Sequence, residues 1–251
     1  MIRRTCIVIT LFIIASPFVR IAFAGGKPAS AKPSNIVDQG SFAIFQSGQL
    51  VATETFVIRQ FPNSNVTTSE LHVEAGQSGG NFDQFGELTL LPNGNLSRYE
   101  WKQRGSPHNS AMVEPSDQIL TMHVVTDGKA SDQSFFLTSS TFVLDDYFFA
   151  TREVLLWRYL ATSCHPRPNG DGCDLTRTRF PVLIPRRRTS AEVFLEFKGY
   201  DDTPLNGRPQ HLRHFLLQTE GPDWHLWLDP NHKLLRISIP ETNTEVLRQD
   251  K

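Results

Sequence analysis

From Ser41 to about Val125 apolar and polar residues alternate with a period of two. Phe56 and Ile58 share a face opposite Val57, Leu71 and Val73 share one opposite Glu70, His72 and Glu74, and Leu120, Met122 and Val124 oppose Thr121 and His123. Such alternation predicts antiparallel strands with one face in a core and the other in water. Ser47-Gly48, Asn93-Gly94 and Asp127-Gly128 punctuate these runs, and Asn206-Gly207 does the same later; such pairs supply the positive φ angles that tight hairpins need. Beyond residue 190, Val193, Leu195 and Phe197 alternate with Glu192, Glu196 and Lys198. Leu212 to Thr219, Trp224 to Leu228 and Leu234 to Ile239 then follow as a meander, the last two joined by the turn-forming Asp229-Pro230-Asn231-His232.

The period changes once. Residues 146 to 163 contain neither Gly nor Pro and place Asp145 and Asp146 where a helix dipole favours acids, predicting a helix over about 145–163. Its apolar positions cover most of the circumference and leave only a side around Thr151 and Arg158 plainly polar, so the helix must be largely enclosed. The expected fold is mainly β: a strongly curved antiparallel sheet, a half-barrel or incomplete barrel, with this one long helix packed into its concave side.

The start of the chain obeys neither pattern. Arg3 and Arg4 precede an apolar run from Cys6 to Val19, interrupted by Pro17 and closed by Arg20, and Ala22-Phe23-Ala24 offers a small-x-small cleavage site. This predicts a signal peptide over residues 1–24, removed on export to a periplasm or beyond. A flexible leader is expected over 25–39 and a single β-rich domain over 40–251. Loss of Arg3, Arg4 and Arg20 from 25 basic residues leaves 22 against 26 acidic ones, a net charge of −4. A nucleic-acid partner is therefore not expected, because phosphates ask for a concentrated basic surface. No integral membrane segment is expected after cleavage of the signal.

Candidate chemistry is sparse. Cys6 leaves with the signal, and Cys164 and Cys173 flank a run of turn formers, which in an exported chain predicts a disulfide rather than a metal site. Gly76-Gln77-Ser78-Gly79-Gly80 fits the G-x-S-x-G nucleophile pattern, yet a strand rather than a helix should follow it, so a loop is the better reading. His211 and His214 stand three apart in a strand and face opposite ways, which removes them as joint metal ligands. Asn169-Gly170-Asp171-Gly172 lacks the flanking carboxylates of a calcium loop. Arg186-Arg187-Arg188 reads as a solvated connection, or else as a contact for anionic headgroups. No catalytic residue, metal or cofactor is assigned, and a non-enzymatic protein is expected.

The segment Phe42-Ala-Ile-Phe-Gln-Ser-Gly48-Gln-Leu-Val-Ala-Thr-Glu54-Thr-Phe56, the helix, and the closing Leu226-Trp227-Leu228-Asp229 leading into Leu234-Leu235-Arg236-Ile237 resemble uncharacterised exported bacterial families that carry a LolA-type lipoprotein-carrier half-barrel. The resemblance implies a binding or carrier protein for a lipid or acyl chain. Tyr147, Phe148, Trp157, Tyr159 and Trp227 are the expected ligand-binding residues if the curved sheet leaves space around the helix. If it fills that space they are core, and the chain is a packed envelope or secreted module that works through a protein partner.

Overall fold

The computed structural model describes residues 34–73, 82–104, 109–167, 170–173, 177–205 and 207–249. The signal expected over 1–24, most of the leader expected over 25–39, and Ser78 with its glycines lie outside the described residues. From Pro33 onward the chain forms one compact unit.

The first half is an unbroken meander: β1 (Asn35–Gln46), β2 (Gln49–Phe61), β3 (Ser64–Val73), β4 (Phe82–Leu90), β5 (Leu96–Arg104), β6 (Ser110–Ser116), β7 (Ile119–Thr126) and β8 (Lys129–Phe135). A two-residue strand β9 (Phe142–Val143), the helix α1 (Ala150–Ser163) and a small hairpin of β10 (Cys164–Arg167) and β11 (Gly170–Cys173) follow. The second half adds β12 (Thr178–Ile184), β13 (Thr189–Leu205), β14 (Arg208–Gln218), β15 (Trp224–Leu228), β16 (Leu234–Ile239) and β17 (Thr244–Arg248). Every strand but β10 and β11 joins one fifteen-stranded sheet, which runs from β8 back through β7 to β1, crosses to β17, and continues from β16 down to β12 and β9. All its pairings are antiparallel except that of β9 with β12. The sheet is open, since its end strands β8 and β9 are not paired to each other.

The expected hairpin turns form for the stated reason. Ser47, Gly48, Gly94, Asp127, Gly128 and Gly207 all have positive φ. Alternation also holds: Phe56, Ile58, Leu71, Leu120, Met122 and Val124 are buried in one continuous core with Leu195, Phe215, Leu226 and Ile237. Strand β1 begins at Asn35, inside the stretch expected as leader, because Asn35 to Gln39 pair with Val57 to Gln60 of β2.

The helix starts at Ala150 rather than near Asp145. The two aspartates are drawn off into ion pairs, and the first helical N–H groups receive their carboxylate from another strand. It is largely enclosed, as its apolar circumference requires, with Leu155, Leu156 and Tyr159 buried. Thr151, expected on the polar side, is buried as well and turns its hydroxyl onto the Phe148 carbonyl at 2.7 Å. A ring lies against a missing side chain above the helix entry: a Cβ at Gly86 of β4 would stand 2.6 Å from the Phe148 ring. The helix then runs straight into the β10–β11 hairpin, where Cys164 and Cys173 are opposed and joined by the expected disulfide. Closing so short a ring contributes about 2 to 3 kcal/mol by loop-closure entropy. No helix among the described residues is long and apolar enough to cross a membrane.

Candidate functional site

Charged residues occupy core-facing positions of the sheet, and they gather at the two ends of the first helical turns. In β2, Glu54 has the same parity as Ala52, Phe56 and Ile58, and is fully buried. Its carboxylate accepts the backbone N–H of Phe149 at 2.7 Å and that of Ala150 at 3.2 Å, capping α1 from outside its own sequence. Burial pushes Glu54 up to about 7, against the opposing pull of those two backbone donors. Arg152, one turn on and buried, donates to the Phe148 carbonyl at 2.8 Å and to the Asp145 carbonyl, with its guanidinium 4.8 Å from the Trp224 ring.

Beside this cap Asp145 is fully buried and fully engaged. It accepts the Tyr99 hydroxyl at 2.5 Å, the Arg186 Nε–H at 2.5 Å and the Tyr147 backbone N–H at 3.2 Å. Burial and the adjacent carboxylate raise the Tyr99 hydroxyl above its usual range, keeping it a proton donor. The arginine triplet lies in the connection as expected, at a 3-10 turn capped by Arg188; Arg187 and Arg188 are exposed, each with a hydrogen-bond partner, and Arg186 is turned inward. Arg186 lies 4.1 Å over the Trp101 ring, Arg187 donates to Asp146 at 2.8 Å, and Arg188 donates to Thr126 Oγ1 at 3.0 Å while its carbonyl accepts from Gln133 Nε2 at 3.3 Å. Asp145 and Asp146, on the approach to the helix, neutralise Arg186 and Arg187, while Arg188 meets a hydroxyl.

A second cluster forms around Glu153, the residue after Arg152 in the helix. Asp38 of β1 and Arg248 of β17 are buried and joined by two bonds of 2.7 and 2.9 Å, Lys233 approaches Asp38 at 3.2 Å, and Glu153 of α1 stands 3.5 Å from Arg248. Burial alone would raise Asp38, but the hydrogen bonds and charge of Arg248 prevail and hold it below the usual carboxylate range. Glu153 moves the other way, to about 10, pushed by burial and by the Asp38 carboxylate beside it. One carboxyl of the pair is thus ionised and the other protonated, the separation expected when two acids share a buried site.

Asp38 also lines the edge of a cleft of about 350 Å³, together with Val37, Trp157, Leu160, Asn231, His232 and Lys233. The cleft opens between the exposed side of α1, the start of β1 and the β15–β16 turn, and Trp157 fixes that turn by donating to the His232 carbonyl at 2.7 Å. Its apolar wall, short polar rim and volume fall at the small end of the range for ligand sites.

Of the aromatic residues expected to bind a ligand, only Trp157 reaches this cleft. Phe148 and Tyr159 are buried in the packed core, Tyr159 edge-on to Phe215 and accepting the Phe197 N–H at 3.2 Å. Tyr147 is half exposed beside Arg186. Trp227 sits on the opposite face of the sheet, stacked on His214 at 4.9 Å and grouped with Leu205 and Leu212. The structure therefore does not gather these five side chains. Asp38, Glu54 and Arg248, which organise the site, escape a hydrophobicity reading, although each is a charge set where the strand's alternation calls for an apolar residue.

Around Trp227, His214 bonds Asp201 through Nδ1 at 2.8 Å and faces His225 at 2.9 Å through Nε2, a surface chain of hydrogen bonds. No group of three or more metal-ligating side chains that could hold an ion occurs among the described residues. Comparison with protein-family models, curated proteins and solved structures gives no significant match.

Proposed function

We propose that this chain is an exported, non-enzymatic binding or carrier protein for a hydrophobic ligand, a lipid or acyl chain, held between α1 and a sheet bent around it as a half-barrel. The cleft walled by Val37, Trp157 and Leu160 carries this reading. Curvature is supported by the bonds from Arg188 to Thr126 and from Gln133 to Arg188, which link the β12–β13 turn to β7 and β8 near the far end of the strand order. Strands spaced about 4.8 Å apart in a flat sheet would hold those elements roughly 60 Å from each other. Export is supported by the basic, apolar and small-residue succession of residues 1–24 and agrees with the disulfide.

The ligand would lay its apolar part along Trp157 and Leu160 and keep its polar end at the rim formed by Asn231 and Lys233. Gentle isolation followed by native mass spectrometry and solvent extraction is expected to release a stoichiometric apolar species. A fluorescent long-chain fatty acid should bind the emptied protein, with Trp157→Ala weakening it about tenfold or more. Trp227→Ala, on the other face, should leave binding unchanged. Apo protein that takes up no such probe would end this reading. A packed envelope or secreted module with a protein partner would then stand in its place, a reading favoured by the complete burial of Phe148 and Tyr159.

A further inference from the structure

Resting on the proposed carrier function, we infer that the ligand is a single-chain amphiphile with an anionic head, a long-chain carboxylate, and that Lys233 at the rim of the cleft is the group that selects it. Among the described residues, the acid and the base that line the cleft are Asp38 and Lys233. They are not equally available. The Asp38 side chain is 2% exposed and is held by both terminal nitrogens of Arg248, at 2.7 and 2.9 Å. Lys233 reaches the same carboxylate from outside, at 3.2 Å, with 40% of its side chain exposed. A carboxylate gripped by an arginine fork has its charge answered before the lysine arrives. The ammonium, with three donors, is therefore the open charge of the cleft.

The groups behind the cleft do not reverse that sign. Glu153, 3.5 Å from Arg248, is kept protonated by burial and by Asp38, so it adds no negative charge. Its Oε1, fully buried, has no hydrogen-bond partner among the described residues. In the β15–β16 turn the Asp229 carboxylate accepts the Lys233 backbone N–H at 2.8 Å, and Arg213, buried behind the turn, donates to the Asp229 carbonyl at 2.8 Å. Asp229 and Arg213 thus contribute one charge of each sign. His232 turns Nδ1 to Arg213 at 2.5 Å, and since a guanidinium can only donate, that nitrogen carries no proton. A cationic head would find the carboxylate of the cleft already bound, whereas an anionic head finds Lys233.

The tail follows from the other wall. Trp157 and Leu160 stand one turn apart on α1, and Val37 is half exposed at the start of β1, which leaves an apolar strip open to water beside the lysine. At about 350 Å³ the cleft lies near the lower bound for ligand sites, which suits one chain rather than two.

Three fluorescent probes of one chain length test this at neutral pH: pyrene-labelled hexadecanoic acid, its methyl ester and the matching primary amine, each titrated into the emptied protein. The acid should bind at least about tenfold tighter than the ester, and the amine no better than the ester. Lys233→Gln should remove the advantage of the acid and leave the ester where it was. Added salt should weaken the acid and spare the ester. Trp157→Ala should weaken all three alike, because it removes tail contact. Asp38 keeps Arg248 in the lysine variant, so circular dichroism should show it folded, and the comparison of probes on the parent protein decides even without it. Equal binding of acid and ester, or equal weakening of both by Lys233→Gln, would leave the carrier standing and overturn its anionic ligand. Binding of none of the three would end the carrier reading itself, and the choice of head group with it.

Discussion

Glu54 shows how one side chain can be set by a position rather than by its own chemistry. Sheet parity turns it inward, the helix start gives it two donors, and burial lifts it to about 7. Because its folded value lies above the unfolded one, the native state binds the extra proton between about pH 4.5 and 7, and the stability tied to it is lost as pH rises through that window. Glu54→Gln removes the titration. Relative to the parent, the variant should gain about 3 kcal/mol between pH 4.5 and pH 8, read from urea unfolding at each pH. Asp38 and Glu153 carry opposite expectations. Glu153 is already protonated at neutral pH, so Glu153→Gln should cost less than about 1 kcal/mol. Asp38→Asn strips Arg248 of its buried counter-charge and should cost about 3 to 5 kcal/mol, a loss that thermal unfolding at neutral pH would register. The Asp38 contribution persists down to the ordinary carboxylate value of 3.8 and fades as pH falls below it through the depressed folded value, so the two variants should converge only in strong acid.

At the scale of elements, strands and turns were legible because their signals are local. Alternation names the buried face of β2, β3 and β7, and the glycine pairs name the hairpins. The start of the helix was not legible, since what stops it at Ala150 is distant in sequence: Glu54 from β2, and Arg186 and Arg187, which hold Asp145 and Asp146. The arginine triplet was legible in part: Arg187 and Arg188 stay exposed, whereas Arg186 turns inward to Asp145, a partner 41 residues away. Gly86 is the local counterpart of these long-range choices, as only hydrogen fits beneath the Phe148 ring. Gly86→Ala should destabilise by about 1 to 3 kcal/mol through overpacking. Adding Phe148→Leu to it should recover part of that loss, and the double-mutant cycle from chemical unfolding would show a coupling of opposite sign to the single cost.

For the whole molecule, the sheet is built as two meanders, β1 to β8 and β12 to β17, which meet where β1 pairs with β17. The composition and period of the sequence suffice for the class of fold, but this seam joins Phe42 to Arg248, and nothing local in either strand announces the other. The aromatic residues are the clearest case of a site the sequence could not resolve. Periodicity places Tyr159 and Phe148 on an enclosed helix and Trp227 on a strand, yet which face of the sheet each strand turns to the helix, and how completely it is filled, follow only from the assembled register.

The seam has a consequence for the order in which the molecule can come into being. The residues it brings together, Asp38 of β1 and Arg248 of β17, stand 210 apart in sequence, and Arg248 joins Lys233 as a cation facing the buried carboxylate. Until the two strands meet, the first meander keeps an open inner edge at β1. Joining the two meanders is therefore a long-range step, slowed by the loop-closure entropy of nearly all the chain between β1 and β17.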